Sequence, residues 1–109
     1  MKLENTKAQM RKGILEYCIL EILAKRNAYA PDIIEEMKKA KMIVVEGTLY
    51  PLLTRLKNAG MLSYRWEESQ QGPPRKYYEL TETGNQVLDE MKESWNEIVE
   101  AVETIRKSS

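Results

Sequence analysis

"EGTLYPLLTRLKNAG", residues 46–60, sets four leucines at helical spacing, Leu49, Leu52, Leu53 and Leu56, with a proline, Pro51, among them. Proline has no N–H, and its ring crowds the carbonyl one turn back. A helix interior therefore rejects it, whereas a first turn, whose amides have no intrahelical acceptor, accepts it. The stretch reads as a helix starting near Glu46 to Thr48, so that Pro51 falls in or near the first turn, with Thr48 as a candidate N-cap. The leucines form a stripe to be buried. The other face presents Tyr50, Pro51, Thr54, Arg55, Lys57 and Asn58. "NAG" ends the helix, with Gly60 expected in the left-handed conformation. Such a helix has the width to enter a major groove and carries the donors to contact what it meets there.

Downstream, Leu62, Tyr64 and Trp66 alternate with Ser63 and Arg65, the period of a strand. "ESQQGPP" reads as a turn and "RKYYEL" as a second strand. Lys76, Tyr78 and Leu80 share one face of that strand; Arg75, Tyr77 and Glu79 share the other. The pair predicts a β-hairpin with basic residues at the exit of its loop. "TETGNQ" then opens a long helix capped by Thr81. Its apolar residues Leu88, Met91, Trp95, Ile98, Val102 and Ile105 step by three and four, a heptad seam widened by Val87 and Val99. So small a core cannot cover that seam, which asks for a partner helix, most simply from a second copy.

Upstream, residues 8–25 read as a helix that is apolar almost all round, and such a helix is buried on more than one side. "NAYAPDIIEEMKKAK" predicts a second helix over 31–40. Pro31 suits its first turn, and its acidic residues precede its basic ones, as the helix dipole prefers. The second and third helices with the turn between them are arranged as a helix-turn-helix, and the hairpin that follows supplies a wing. The fold expected is mainly α with a β-hairpin, a winged helix-turn-helix over residues 1–80. A dimerisation helix over 81–109 completes the same unit. Lysines and arginines of this face neutralise phosphates while the helix enters the groove.

Composition narrows the chemistry. The 109 residues hold no histidine and one cysteine, Cys18, which excludes histidine-based triads and an intrachain disulfide and disfavours a zinc site. Cys18 in "ILEYCILEIL" reads as a small buried hydrophobe. No phosphate-binding glycine loop and no paired carboxylates between apolar walls are present, so no enzyme and no cofactor are expected. A charged start and the lack of any long apolar run predict a cytoplasmic protein with no membrane partner. Net charge is zero but unevenly placed: +4 over residues 1–80 and −4 over 81–109. A mildly basic body joined to an acidic helix fits one DNA-facing side.

"EGTLYPLLTRLKNAGMLSYRWEESQQGPPRKYYELTETG" resembles the PadR family of bacterial transcriptional regulators. The resemblance spans about residues 10–107 and rests on the GTLYPLLxRLxxxG segment and the GPPRKYYxLTxxG wing. It implies a winged-helix homodimer that represses its own or a neighbouring efflux or stress gene by binding an inverted-repeat operator. DNA contacts carry over to Thr48, Tyr50, Pro51, Thr54 and Arg55, and on the wing to Gly72, Arg75 and Lys76. Lys57 joins them from the exposed face of the helix. Glu46 and Gly47 depart from the family's usual Ser/Asn-type start, and a carboxylate there would repel a phosphate. The single C-terminal helix resembles the small branch, and "ESWNEIVE" its drug-responsive members, which hold flat aromatic compounds between paired tryptophans at the dimer centre. That implies an effector site formed by Tyr17, Glu21, Leu88, Met91, Trp95 and Val99. The competing reading is a dimeric protein-interaction module on the same scaffold without specific DNA binding.

Overall fold

A computed structural model describes residues 3–108. The elements in chain order are α1 (Leu3–Lys12), α2 (Leu15–Lys25), β1 (Ala28–Tyr29), α3 (Ala30–Lys39), α4 (Glu46–Asn58), β2 (Leu62–Ser69), β3 (Gly72–Leu80) and α5 (Glu82–Lys107). The single first helix expected over 8–25 is two helices. Gly13 and Ile14 form a turn between α1 and α2, and only α2 enters the core, through Leu15, Ile19, Leu20 and Leu23. The all-round apolar signal belongs to α2; α1 buries no residue.

α3 matches its expected span. Asp32 accepts the Tyr29 N–H at 3.1 Å, Pro31 occupies the first turn, and Ile33 and Met37 face inward. α3 ends with Lys41 at φ 63°, where the Met42 N–H reaches the Met37 carbonyl at 2.8 Å. A left-handed residue at this position is ordinarily glycine. Lysine stands there instead, so no residue type marks the site in the sequence.

α4 buries Leu49, Leu53 and Leu56 completely and Leu52 in part. Its N-cap is Val45, without a side-chain cap, and Thr48 lies inside the helix at its third residue, so the expected Thr48 cap is not formed. Pro51 is the sixth residue, one turn deeper than a first-turn proline. It cannot donate to the Gly47 carbonyl, but both residues are exposed and water can serve that carbonyl. Gly60 has φ 80°; its N–H bonds the Lys57 carbonyl, and the Met61 N–H bonds Leu56, each at 3.0 Å. The pair closes the helix end.

The hairpin register places Leu62, Tyr64 and Trp66 opposite Leu80, Tyr78 and Lys76 on one face, and Ser63, Arg65 and Glu67 opposite Glu79, Tyr77 and Arg75 on the other. The turn is tighter than "ESQQGPP": β3 already begins at Gly72, and both prolines lie within it, at the exposed tip where donors are not needed. A third strand, β1, pairs with β3 through Ala28–Tyr78 and Tyr29–Tyr77, giving the order β1-β3-β2. Two residues are too few for a strand period to register in the sequence.

α5 starts at a crossing of three elements. Thr81 Oγ1 accepts the Gly84 N–H at 3.0 Å and donates to the Gly60 carbonyl at 2.6 Å, and the Thr81 N–H bonds the Met61 carbonyl at 3.1 Å. Gly84 is buried there, and a Cβ on it would overlap the Met61 carbonyl oxygen. Gly84→Ala must push α5 away from the α4–β2 junction. Overpacking of this kind costs about 1–3 kcal/mol. A thermal melt at fixed protein concentration is expected to show a midpoint lower by roughly 5 °C or more.

Candidate nucleic-acid interface

The exposed side of α4 divides into three stripes by helical spacing. Tyr50, Thr54 and Lys57 face the wing. Tyr50 lines a groove of about 340 Å³ with Trp66, Arg75 and Lys76, closed at its far side by Tyr29 and Pro31. Thr54 and Lys57 line a second cleft of about 170 Å³ with Tyr64 and Lys76. Gly47, Pro51 and Asn58 form the outermost ridge, all exposed. Thr48 and Arg55 lie on the third stripe, turned toward α1 and α2.

The wing joins the helix through aromatic rings. Lys76 Nζ stands 4.6 Å from the centroid of the Tyr64 ring and 5.5 Å from that of Trp66, and Lys57 Nζ lies 5.9 Å from Tyr64. Such contacts hold the ammonium groups in place while leaving their charge unneutralised. Among the described residues, Lys57, Arg75 and Lys76 form no ion pair with a carboxylate, and Gly72 is open at the wing tip. The structure thus brings Tyr50, Thr54, Lys57, Arg75 and Lys76 to one surface.

Arg55 is different. Its Nε donates to Glu16 Oε2 at 2.6 Å and its Nη2 to Glu16 Oε1, a forked pair with a carboxylate of α2. The Glu16 carboxylate holds the guanidinium above its ordinary pKa. Nothing in the sequence near Arg55 announces a partner 39 residues earlier. Glu46 occupies the first residue of α4, where a carboxylate is favoured by the helix dipole. Trp66, a member of the core-facing row of β2, is 61% exposed because that row runs out past the core. The sequence placed it in the strand but had no sign that it borders the groove with Tyr50.

Behind this surface, α1 and the outer half of α5 enclose an open apolar groove of about 610 Å³, lined by Met10, Ile14, Trp95, Ile98, Val99 and Val102 among others. The residues expected to form an effector site divide. Trp95 and Val99 border the groove, Met91 is half-buried, and Leu88 is packed in the core, away from it. Tyr17 stands 6.5 Å from Trp95, ring centroid to centroid. It donates a 2.6 Å hydrogen bond to Glu21, whose carboxylate also lies 4.0 Å from Lys92. Met10 joins from α1 and Ile14 from the turn after it, in the stretch expected to be one helix with α2. Cys18 is half-buried 3.8 Å from Met42 Sδ, and burial pushes its thiol up. Among the described residues no group of His, Cys, Asp and Glu could hold a metal ion.

A helix whose exposed face lies beside a basic, aromatic-backed hairpin is the architecture of the winged-helix regulators. Residues 19–90 match the transcriptional regulator PadR-like family, and the chain belongs to it. It is similar to a PadR-like transcription factor of Bacteroides fragilis, at 62% identity and a TM-score of 0.79, covering 93% of this chain and 98% of that one. A PadR-like regulator of Bacillus cereus is 34% identical, with a TM-score of 0.80 over 93% and 99% of the two chains. A PadR family regulator of Eggerthella lenta is 27% identical, with a TM-score of 0.89 over 98% and 94%. The chain is therefore a DNA-binding transcriptional regulator and not an enzyme.

Tyr17 carries a measurable signature of its hydrogen bond within α2. Its hydrogen bond to Glu21, with burial second, pushes its hydroxyl up from 10.0 to about 12. A raised acid pKa means the neutral form is favoured in the folded state. Its contribution to stability is complete below pH 10 and is lost as pH rises through 12. In an alkaline titration followed by tyrosinate absorbance, Glu21→Gln is expected to move one of the tyrosines back toward its ordinary value. An unchanged titration would mean that Tyr17 does not donate to Glu21 in solution.

Proposed function

We propose that the chain is a homodimeric repressor that binds an inverted-repeat operator beside its own or a neighbouring efflux or stress gene and acts in the cytoplasm. Residues 1–80 read DNA, and 81–109 hold two copies together. One observation carries the dimer: past Met91, the described residues leave the seam of α5 exposed, with only an open groove against α1 beside it. Trp95 is 38% exposed, Ile98 54%, Val102 48% and Ile105 72%. Isolated exposed apolar residues are ordinary, but a continuous row at heptad spacing marks an interaction surface. The same-chain groove between α1 and α5 offers a second copy's α5 an apolar bed. A two-fold pairing would set two α4 helices at half-sites about one helical turn apart.

Thr48, Tyr50, Pro51, Thr54, Arg55, Lys57, Gly72, Arg75 and Lys76 contact the operator in this reading. The effector is a flat aromatic molecule that stacks on Trp95 near the two-fold axis, with Tyr17, Glu21, Met91 and Val99 beside it. Leu88 supports the site from the core. Ligand binding changes the angle between copies and so the spacing of the two α4 helices, which lowers operator affinity.

The test is a titration of labelled duplex from upstream of the coding sequence against a scrambled duplex, at two salt concentrations. Binding about a thousandfold tighter to the upstream duplex, with two chains per site, is the expected result. Equal and weak binding that vanishes with salt would leave only phosphate attraction and favour a protein-interaction dimer. For the effector, a ligand that releases the operator and quenches tryptophan fluorescence is expected to lose at least about tenfold in affinity with Trp95→Ala. Full affinity in that variant would remove Trp95 from the site.

A further inference from the structure

We infer that Glu16 is a positioning residue for DNA reading: it fixes Arg55 and cancels its charge, so that Arg55 meets a base edge instead of acting as a free phosphate cation. The inference rests on the DNA-binding reading of α4 and goes beyond it by giving α2, an element that reaches no DNA, a part in specificity.

The geometry is asymmetric. The Glu16 side chain is only 19% exposed, whereas that of Arg55 is 61% exposed. The carboxylate is therefore held against the protein while the guanidinium projects. The pair uses Nε and one hydrogen of Nη2. A guanidinium has five N–H donors, so the outer fork, both hydrogens of Nη1 and one of Nη2, stays free and points away from Glu16. Two parallel donors in that fork match the O6 and N7 acceptors of guanine in the major groove. A forked carboxylate partner fixes the guanidinium plane, which a flexible arginine must otherwise give up entropy to do.

The electrostatics point the same way. Lys57 and Lys76 lie over rings rather than acids, and among the described residues neither they nor Arg75 form an ion pair with a carboxylate. Arg55 alone among the cations of the reading surface is matched to a carboxylate. Non-specific affinity is set by the number of phosphates neutralised, and a paired arginine adds little to it. Glu16 thus withholds one cation from the sequence-independent part of binding and reserves it for the sequence-dependent part.

The experiment compares wild type, Glu16→Gln, Arg55→Ala and the double variant on scrambled duplex across a salt series, and on the operator. Glu16→Gln keeps the shape and removes the charge. Its slope of log affinity against log salt on scrambled duplex is expected to steepen by about 0.9, one extra phosphate contact. The ratio of operator to scrambled affinity is expected to fall about tenfold, the loss of one oriented base contact. Arg55→Ala alone is expected to leave the scrambled-duplex slope at the wild-type value, and in the double variant to abolish the steepening. An unchanged slope in Glu16→Gln overturns the inference while DNA reading stands. So does an equal loss of affinity for both duplexes, since Glu16 would then only hold α2 against α4. A wild-type protein that prefers no duplex overturns the DNA reading itself, and with it the inference.

Discussion

Thr81 ties together the three parts of the molecule that must be held in register. Its hydroxyl caps α5 and bonds the end of α4, and its amide bonds the residue that begins the wing. The Met61 carbonyl that receives that amide also faces the bare Cα of Gly84, so the first turn of α5 sits at backbone distance from the α4–β2 junction. A serine or threonine cap ordinarily serves one helix. Here one side chain fixes the direction of a 26-residue helix relative to α4. α5 is a lever about 39 Å long at 1.5 Å per residue, so a small rotation at its root becomes a large displacement at its tip. In the proposed dimer the lever also works from its tip. A change in how two α5 helices pack is transmitted to the two α4 helices, because the joint at Thr81 has little room to absorb it.

The rest of the core follows from that joint. The completely buried side chains Ile19, Leu20, Ile33, Leu49, Leu53 and Leu56 come from α2, α3 and α4, and Leu62, Tyr78 and Leu88 lay the hairpin and the root of α5 on them. Burial then thins along both projecting elements. Along β2, Leu62 is buried, Tyr64 half-buried and Trp66 exposed, and along α5 Leu88 is buried, Met91 half-buried and Trp95 more exposed than either. Both elements keep an apolar row where the core no longer reaches. On the wing the row ends in one tryptophan beside two basic residues. On α5 it continues for three more turns, flanked by α1 but largely exposed.

Much of this was legible because it is local. The hairpin register is a period-two pattern, the seam a three–four pattern, the Gly60 and Thr81 caps single residues with one plausible geometry, and the recognition face a leucine stripe seen from behind. The failures have physical causes of two kinds. Gly13 splits α1 from α2 although an isolated glycine costs a helix only about 1 kcal/mol, and tertiary packing decides whether that is enough. Lys41 adopts a left-handed backbone that its side chain does not favour, because Met42 must turn inward against Cys18. The other failures are of distance: β1 against β3, Glu16 against Arg55 and Ile14 against Trp95 are made by the fold, and no spacing within either partner foretells them. Leu88 is the informative case, because it lies on the seam's spacing and yet is buried in the chain's own core. A seam that starts inside a core has its first members spoken for before a partner or a ligand arrives.

The zero net charge of a DNA-binding chain is less odd once the charges are placed. The acidic residues of α5 line neither of the clefts between α4 and the wing. On the proposed reading surface, Lys57, Arg75 and Lys76 form no ion pair among the described residues and Arg55 does. Few unmatched cations mean weak attraction to arbitrary DNA, since that attraction grows with each phosphate neutralised. A regulator confronts a vast excess of wrong sites, and what matters is the ratio of right to wrong affinity. Lowering the non-specific part raises that ratio as surely as adding a base contact does. On this argument, charge neutrality belongs to the recognition surface's design rather than counting against its function.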